Sequence, residues 1–402
     1  MTLAELAVTI TVLAALGLLA SRFGLSAIPA YLLAGLLLGP NEPEFLSIIE
    51  PSEVTEFVAE LGVIFLLFFL GLEFTLERLR RSGMHLGIGG TIDFAVNAGL
   101  GLIVGVAAFG FSLAALILAG AIYVSSSAVA VKGLIDFRRL ADDETDLVLA
   151  ILIVEDIAIA FVLAFAGGGG GELGNSLELA AKAITFIVGS LAASRWLARP
   201  IDRLLDWMPR EFFLLFTFAL LIGMSAASHW LGLSEAIGAL MAGVILSDTS
   251  ARHEIEERFL SFRDVFGALF FFVFGLSIDV EALDSVGWLI ALAVVLGVVG
   301  KLGGTYAAGR VGGFTQRQSL NAGTALVARG EFTVILAQVA ATNPGVAAAA
   351  RRDLVAIAGL YVLATAVIGV VLMKESKRLG RRLFPTQPKL TPEGGTHGPR
   401  AP

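Results

Sequence analysis

The stretch DLVLAILIVEDIAIAFVLAFA, residues 146–166, decides how the rest of the chain is read. All but three of its 21 residues are apolar. As a helix it would be about 31 Å long, the thickness of the hydrocarbon core of a bilayer. Two of the three charges, Glu155 and Asp156, stand at its middle, with Ile151-Leu152-Ile153 before them and Ala158-Ile159-Ala160-Phe161 after. A charge at that depth costs at least about 2.5–3.5 kcal/mol on insertion scales, so it marks function or a structural ion pair. Neighbours on a helix point about 100° apart, so the two carboxylates do not share a face. One faces an ion path and the other flanks it. Either a proton or a cation neutralises a buried carboxylate, which makes the pair a site of competition between the two.

The composition extends that reading outward. Of 402 residues, 56% are hydrophobic and 16% charged, against roughly 45–50% and 25% in soluble domains. There is no cysteine, so disulfide scaffolds and thiolate sites are excluded. A net charge of −7 and the lack of a basic domain argue against nucleic-acid binding. Thirteen apolar runs are candidates for membrane helices: 3–21, 26–40, 54–73, 84–109, 112–132, 146–166, 177–197, 211–230, 233–247, 263–279, 286–309, 318–341 and 353–373. The fold class is therefore an all-α polytopic membrane protein with about 13 transmembrane helices. Thirteen crossings put the termini on opposite sides. Loops on one side carry Arg22, Arg78, Arg80, Arg81, Arg138, Arg139, Arg199, Arg203, Arg252, Arg258, Arg310 and Arg317, and those on the other carry Glu42, Glu44, Glu50, Glu172, Asp279 and Glu281. Bases mark the cytoplasmic side. The expectation is a multi-pass inner or plasma membrane protein, N-terminus outside, with a cytoplasmic, disordered tail over 374–402.

An internal repeat sharpens the class. Gly-Leu-Glu-Phe-Thr-Leu-Glu-Arg-Leu at 71–79 resembles Gly-Leu-Ser-Ile-Asp-Val-Glu-Ala-Leu at 275–283, and the run at 33–38 echoes 241–246, at offsets of 204 and 208. Corresponding helices are seven crossings apart, and an odd shift turns the second copy upside down. The expected organisation is a first repeat over about 3–166, a linking helix over about 177–197 and a second repeat over about 211–373. Inverted repeats mark secondary transporters, whose site lies at the midplane where discontinuous helices meet.

The remaining charges at bilayer depth are few. Lys301 sits in 286–309 after Val298-Val299-Gly300 and is the natural counter-charge for a carboxylate of the opposite repeat. Arg329-Gly330-Glu331 interrupts 318–341, and the same offset leads back to Ser125-Ser126-Ser127 in 112–132. Both read as breaks in two crossed discontinuous helices. The serine hydroxyls and freed carbonyls are candidate cation ligands, and Arg329 and Glu331 neutralise the exposed helix ends. Asp93 and Asn97 lie one turn apart in 84–109, at a domain boundary or in packing. The histidines have no metal-ligand spacing, and the glycines at 167–171 form an outer loop with no phosphate-binding motif around them. No catalytic residue and no resident metal or cofactor is expected.

Seven segments taken in order carry a resemblance: Pro29-Ala30-Tyr31-Leu32-Leu33-Ala34-Gly35 with Gly39-Pro40; Phe68-Phe69-Leu70-Gly71-Leu72-Glu73; Ser125-Ser126-Ser127-Ala128; Glu155-Asp156; Leu233-Ser234-Glu235-Ala236-Ile237-Gly238; Phe270-Phe271-Phe272 with Gly275; and Arg329-Gly330-Glu331-Phe332. Together the chain resembles bacterial monovalent cation:proton antiporters of the Kef-type branch of the sodium/proton exchanger superfamily. The resemblance implies a homodimer in which each protomer has a dimerisation domain and a mobile core domain. It implies that Asp156 binds the ion, that Glu155 stands where relatives carry Asp, Asn or Gln, and that Lys301 pairs with Asp156. It implies alternating-access exchange of potassium or sodium for protons; regulation is either absent or supplied by a separate cytoplasmic regulatory subunit. A cation-coupled organic-anion symporter is the alternative.

Overall fold

A computed structural model describes residues 3–23, 26–40, 49, 51–73, 83–139, 141–166, 173–233, 235–279, 281 and 283–384. Several residues used above lie outside these: Glu42, Glu44, Glu50, Arg78, Arg80, Arg81, Glu172, Ser234, the glycines at 167–171, most of the repeat segment at 71–79, and 385–402.

Fifteen helices and no strand form the described residues. They are α1 (Leu3–Arg22), α2 (Ala27–Leu38), α3 (Glu53–Glu73), α4 (Gly83–Phe109), α5 (Leu113–Tyr123), α6 (Ser127–Asp136), α7 (Glu144–Ala166) and α8 (Leu173–Trp207). There follow α9 (Arg210–Trp230), α10 (Glu235–Ser247), α11 (Arg252–Leu276), α12 (Leu283–Val311), α13 (Gln316–Ala325), α14 (Glu331–Thr342) and α15 (Ala348–Leu383). Two of the thirteen expected passages are broken in the middle, α5/α6 and α13/α14, at the serine triplet and at Arg329-Gly330. Among the described residues eight spans are long and apolar enough to cross a membrane, seven of them single helices and one, Leu113–Asp136, the joined α5/α6 passage.

The last helix corrects one expectation. Residues 374–383 are not disordered but continue α15. The reason is docking: Met373, Ser376 and Gly380 form a buried stripe at helical spacing. Ser376 Oγ accepts from Arg139 at 3.2 Å, Lys377 pairs with Asp142 at 3.1 Å, and Arg317 donates to the Phe384 carbonyl at 2.7 Å. The linking helix is also longer than expected, and Pro200 lies within it.

The helices sort into two bodies. One packs α1–α3 with α8–α11; the other packs α4–α7 with α12–α15. Few contacts join them, chiefly α2 and α11 against α14 and α15. Glycine contacts bring out the repeat symmetry. A Cβ on Gly35 would lie 2.0 Å from the Phe272 carbonyl and 2.7 Å from Gly275 Cα; one on Gly71 would lie 2.1 Å from the Leu240 carbonyl and 2.9 Å from Gly243 Cα. The sequence repeat equates Gly35 with Gly243 and Gly71 with Gly275. The contact of α2 with α11 is thus carried onto that of α10 with α3, as an internal two-fold requires. Only glycine permits such close backbone approach between helices.

Candidate functional site

The site grows from the two helix breaks. Residues 124–126 and 326–330 leave the helical path and lie against each other. The Ser126 backbone N–H donates to the Ala328 carbonyl at 2.8 Å, and Ser125 Oγ lies 2.8 Å from the Leu326 carbonyl. Arg329 is fully buried and donates to the carbonyls of Ile122 at 2.8 Å, Leu326 at 2.9 Å and Val327 at 2.7 Å. These are the free carbonyls at the ends of α5 and α13, where a helix carries about half a negative charge. On the opposite ends, Ser126 Oγ accepts from the Val129 N–H to cap α6 and lies 3.2 Å from Glu331, in the first turn of α14. Gly330 is required there, since a Cβ would sit 2.4 Å from Ser126 Oγ. Cation and carboxylate thus neutralise the four helix ends that cross.

Behind the crossing lies a buried ion cluster. Glu155 on α7 is fully buried and accepts from the Ser125 N–H at 2.7 Å, with Ser125 Oγ at 3.0 Å. Lys301 on α12, also 0% exposed, binds Glu155 and donates to Asp93 on α4 at 2.6 Å. Thr305 and Asn97 donate to the other Asp93 oxygen at 2.9 and 3.1 Å. The Tyr123 ring lies 4.9 Å from the Lys301 ammonium, a cation–π distance.

Asp156 is elsewhere. It faces a cavity of ≈ 940 Å³ between the two bodies, together with Ser127 and Glu331, and opposite Tyr31, Phe69, Arg263 and Asp264. The predicted site residues therefore divide. Glu155, Ser125 and Lys301 meet directly; Ser126, Arg329 and Glu331 build the crossing; Asp156, Ser127 and Glu331 share the cavity wall. One expectation is corrected: Lys301 pairs with Glu155 and Asp93, not with Asp156. The 100° between successive helical residues lets only one of the two acids face α12. Asp93 and Asn97, which the sequence left between a domain boundary and packing, are buried, with Asn97 donating to Asp93 and Asp93 accepting from Lys301 and Thr305. Their signal was present in the sequence: an Asp/Asn pair one turn apart on α4, and Lys301 and Thr305 one turn apart on α12. Tyr123 gave no signal, being one aromatic among many. Among the described residues no cluster of His, Cys, Asp and Glu has the arrangement of a metal-holding site.

Inverted repeats, crossed broken helices and an ionisable cluster at their junction define a secondary transporter. Residues 8–374 match the family described as "Sodium/hydrogen exchanger, transmembrane", and the chain belongs to it. It is a monovalent cation:proton antiporter. Among curated proteins it is 38% identical to the K(+)/H(+) antiporter subunit KhtU of Bacillus subtilis, over 96% of this chain and 97% of that one. It is 28% identical to the ammonium/H(+) antiporter subunit AmhT of Alkalihalophilus pseudofirmus, over 88% of each. Its fold resembles the sodium proton antiporter MjNhaP1 from Methanocaldococcus jannaschii at a TM-score of 0.69, with 17% identity over 95% of this chain and 98% of that one.

Proposed function

We propose that this antiporter carries potassium, or sodium, against protons by alternating access, with Asp156 holding the cation and the proton in turn. The observation that supports this is the different placement of two adjacent acids: Asp156 in the cavity wall, Glu155 sealed behind it. A hydrated cation entering the cavity meets Asp156 beside the broken helices, with Ser127 and Glu331 at hand. Glu155, Lys301 and Asp93 fix the geometry of α7 against α4 and α12. The core body then moves past the other body and exposes Asp156 on the far side, where a proton replaces the cation. The relatives named for potassium and ammonium, ions of similar size, support potassium over sodium.

The charge asymmetry of the loops supports a cytoplasmic C-terminus in the plasma membrane, and hence a cavity that opens to the cytoplasm. Both curated relatives are named as subunits, which supports a second, cytoplasmic regulatory chain; the homodimer rests on the resemblance in sequence. The narrower Kef-type placement rests on the motifs alone, and the family match does not carry it. The family match leaves no observation in favour of an organic-anion symporter.

The test is cation-driven proton movement in proteoliposomes. Asp156→Asn is expected to abolish it for every cation tried, and exchange that survives in that variant sinks the assignment of Asp156.

A further inference from the structure

We propose that Asp93 sets the affinity of the exchanger for its cation, by giving the buried cluster behind Asp156 one negative charge more than Lys301 cancels. This rests on the reading of Asp156 as the carrier.

The buried charges fall into two groups. At the crossing they balance: Arg329 sits on the carbonyl ends of α5 and α13, and Glu331 beside the amide ends of α6 and α14. Each helix end carries about half an elementary charge, so one cation serves two carbonyl ends and one carboxylate serves two amide ends. Behind the crossing the count differs. Lys301 binds two carboxylates, Glu155 and Asp93, and its other neighbour is the face of the Tyr123 ring. Three neutral donors further fix the arrangement: Thr305 and Asn97 on Asp93, and the Ser125 N–H on Glu155. With both carboxylates ionised, the sum of the cluster is −1.

All three ionic members are fully buried, so water does not screen the excess. Asp156 follows Glu155 on the same helix, about 1.5 Å further along its axis. A cation at Asp156 therefore lies in the field of the excess charge. Glu155 alone would form a neutral pair with Lys301, so it is the second carboxylate that supplies the attraction. Asp93 acts through the field and through Lys301, and so is a positioning residue.

The experiment measures half-saturating potassium and sodium concentrations for exchange in proteoliposomes, at alkaline pH where protons no longer compete for Asp156. Asp93→Asn keeps the shape and most of the hydrogen bonds but removes the charge. It is expected to raise the half-saturating concentration about tenfold, more than it lowers the maximal rate. Asp93→Glu, which keeps the charge, stays near the wild type. The double variant Asp93→Asn with Lys301→Gln returns the cluster to −1 and is expected to recover toward the wild-type value. A half-saturating concentration in Asp93→Asn equal to that of the wild type overturns the proposal, whatever the maximal rate. If Asp93→Asn does not fold, Asp93→Ser, smaller and also uncharged, decides: a tenfold rise in the half-saturating concentration supports the proposal and a value equal to the wild type overturns it. Absence of exchange in the wild type would instead overturn the carrier reading.

Discussion

At the scale of single residues, the site depends on how few partners a buried charge has. The Lys301 ammonium has three N–H donors; carboxylates on α7 and α4 take two directions and an aromatic face the third. Removing it leaves Glu155 and Asp93 with no counter-ion in a dry interior. Lys301→Ala is expected to lower the stability of the protein by about 3–5 kcal/mol. Thermal unfolding in detergent should show this as an earlier transition, and an unchanged midpoint would contradict the buried cluster. By contrast, Lys132 and Asp136 form an ion pair 3.0 Å apart that is about 40% exposed. Such a pair is worth about 0–1 kcal/mol, so Lys132→Ala should leave the midpoint almost where it was.

At the scale of helices, two devices recur. The first is the glycine contact. The α2–α11 and α3–α10 crossings bring backbone to backbone at Gly35/Gly275 and Gly71/Gly243. Gly71→Leu is expected to force these helices apart, with a cost of at least about 1–3 kcal/mol for overpacking; comparing denaturation of the purified variant with the wild type measures it. The second is the staple at the ends of the core helices. Arg139, 1% exposed, donates to Ser376 on α15 at 3.2 Å and to the Asn321 carbonyl on α13 at 3.0 Å, and pairs with Glu144 at the start of α7. Burial pushes its guanidinium below the usual arginine range, while Glu144 and Asp142 oppose that. Arg139→Ala leaves Glu144 buried with its main cation gone. It is expected to loosen residues 374–383 from the core, which hydrogen exchange along α15 would detect as faster exchange beyond Met373.

At the scale of the whole molecule, a cavity lies in the gap between two bodies, each held internally by extensive packing and joined to the other by little. Asp156 lines the cavity in that gap. Because the chain has no cysteine, single cysteines report accessibility without background. Ser127→Cys, in the cavity wall, is expected to react with an impermeant thiol reagent from the cytoplasmic side. Phe111→Cys, on the 96% exposed tip between α4 and α5, should react only from outside. Labelling of both from the same side would contradict the orientation drawn from the loop charges.

By itself the sequence determined the membrane class, the thirteen passages, the inverted repeat and the two helix breaks. Each of these follows from local composition: apolar run length, the sign of loop charges, Gly-Leu echoes at one offset, and polar residues where an apolar helix cannot stay wound. It also brought Glu155, Asp156, Lys301, Arg329 and Glu331 forward, since a charge is conspicuous in an apolar run. The tertiary structure alone decided which charges meet. Adjacent acids at 155 and 156 are equivalent in a sequence, yet the turn of α7 aims one at Lys301 and the other at the cavity. Asp93 entered the cluster, and residues 374–383 became ordered helix, for the same physical reason. Pairing and docking depend on which faces the packing of distant helices brings together, and no local pattern encodes those faces.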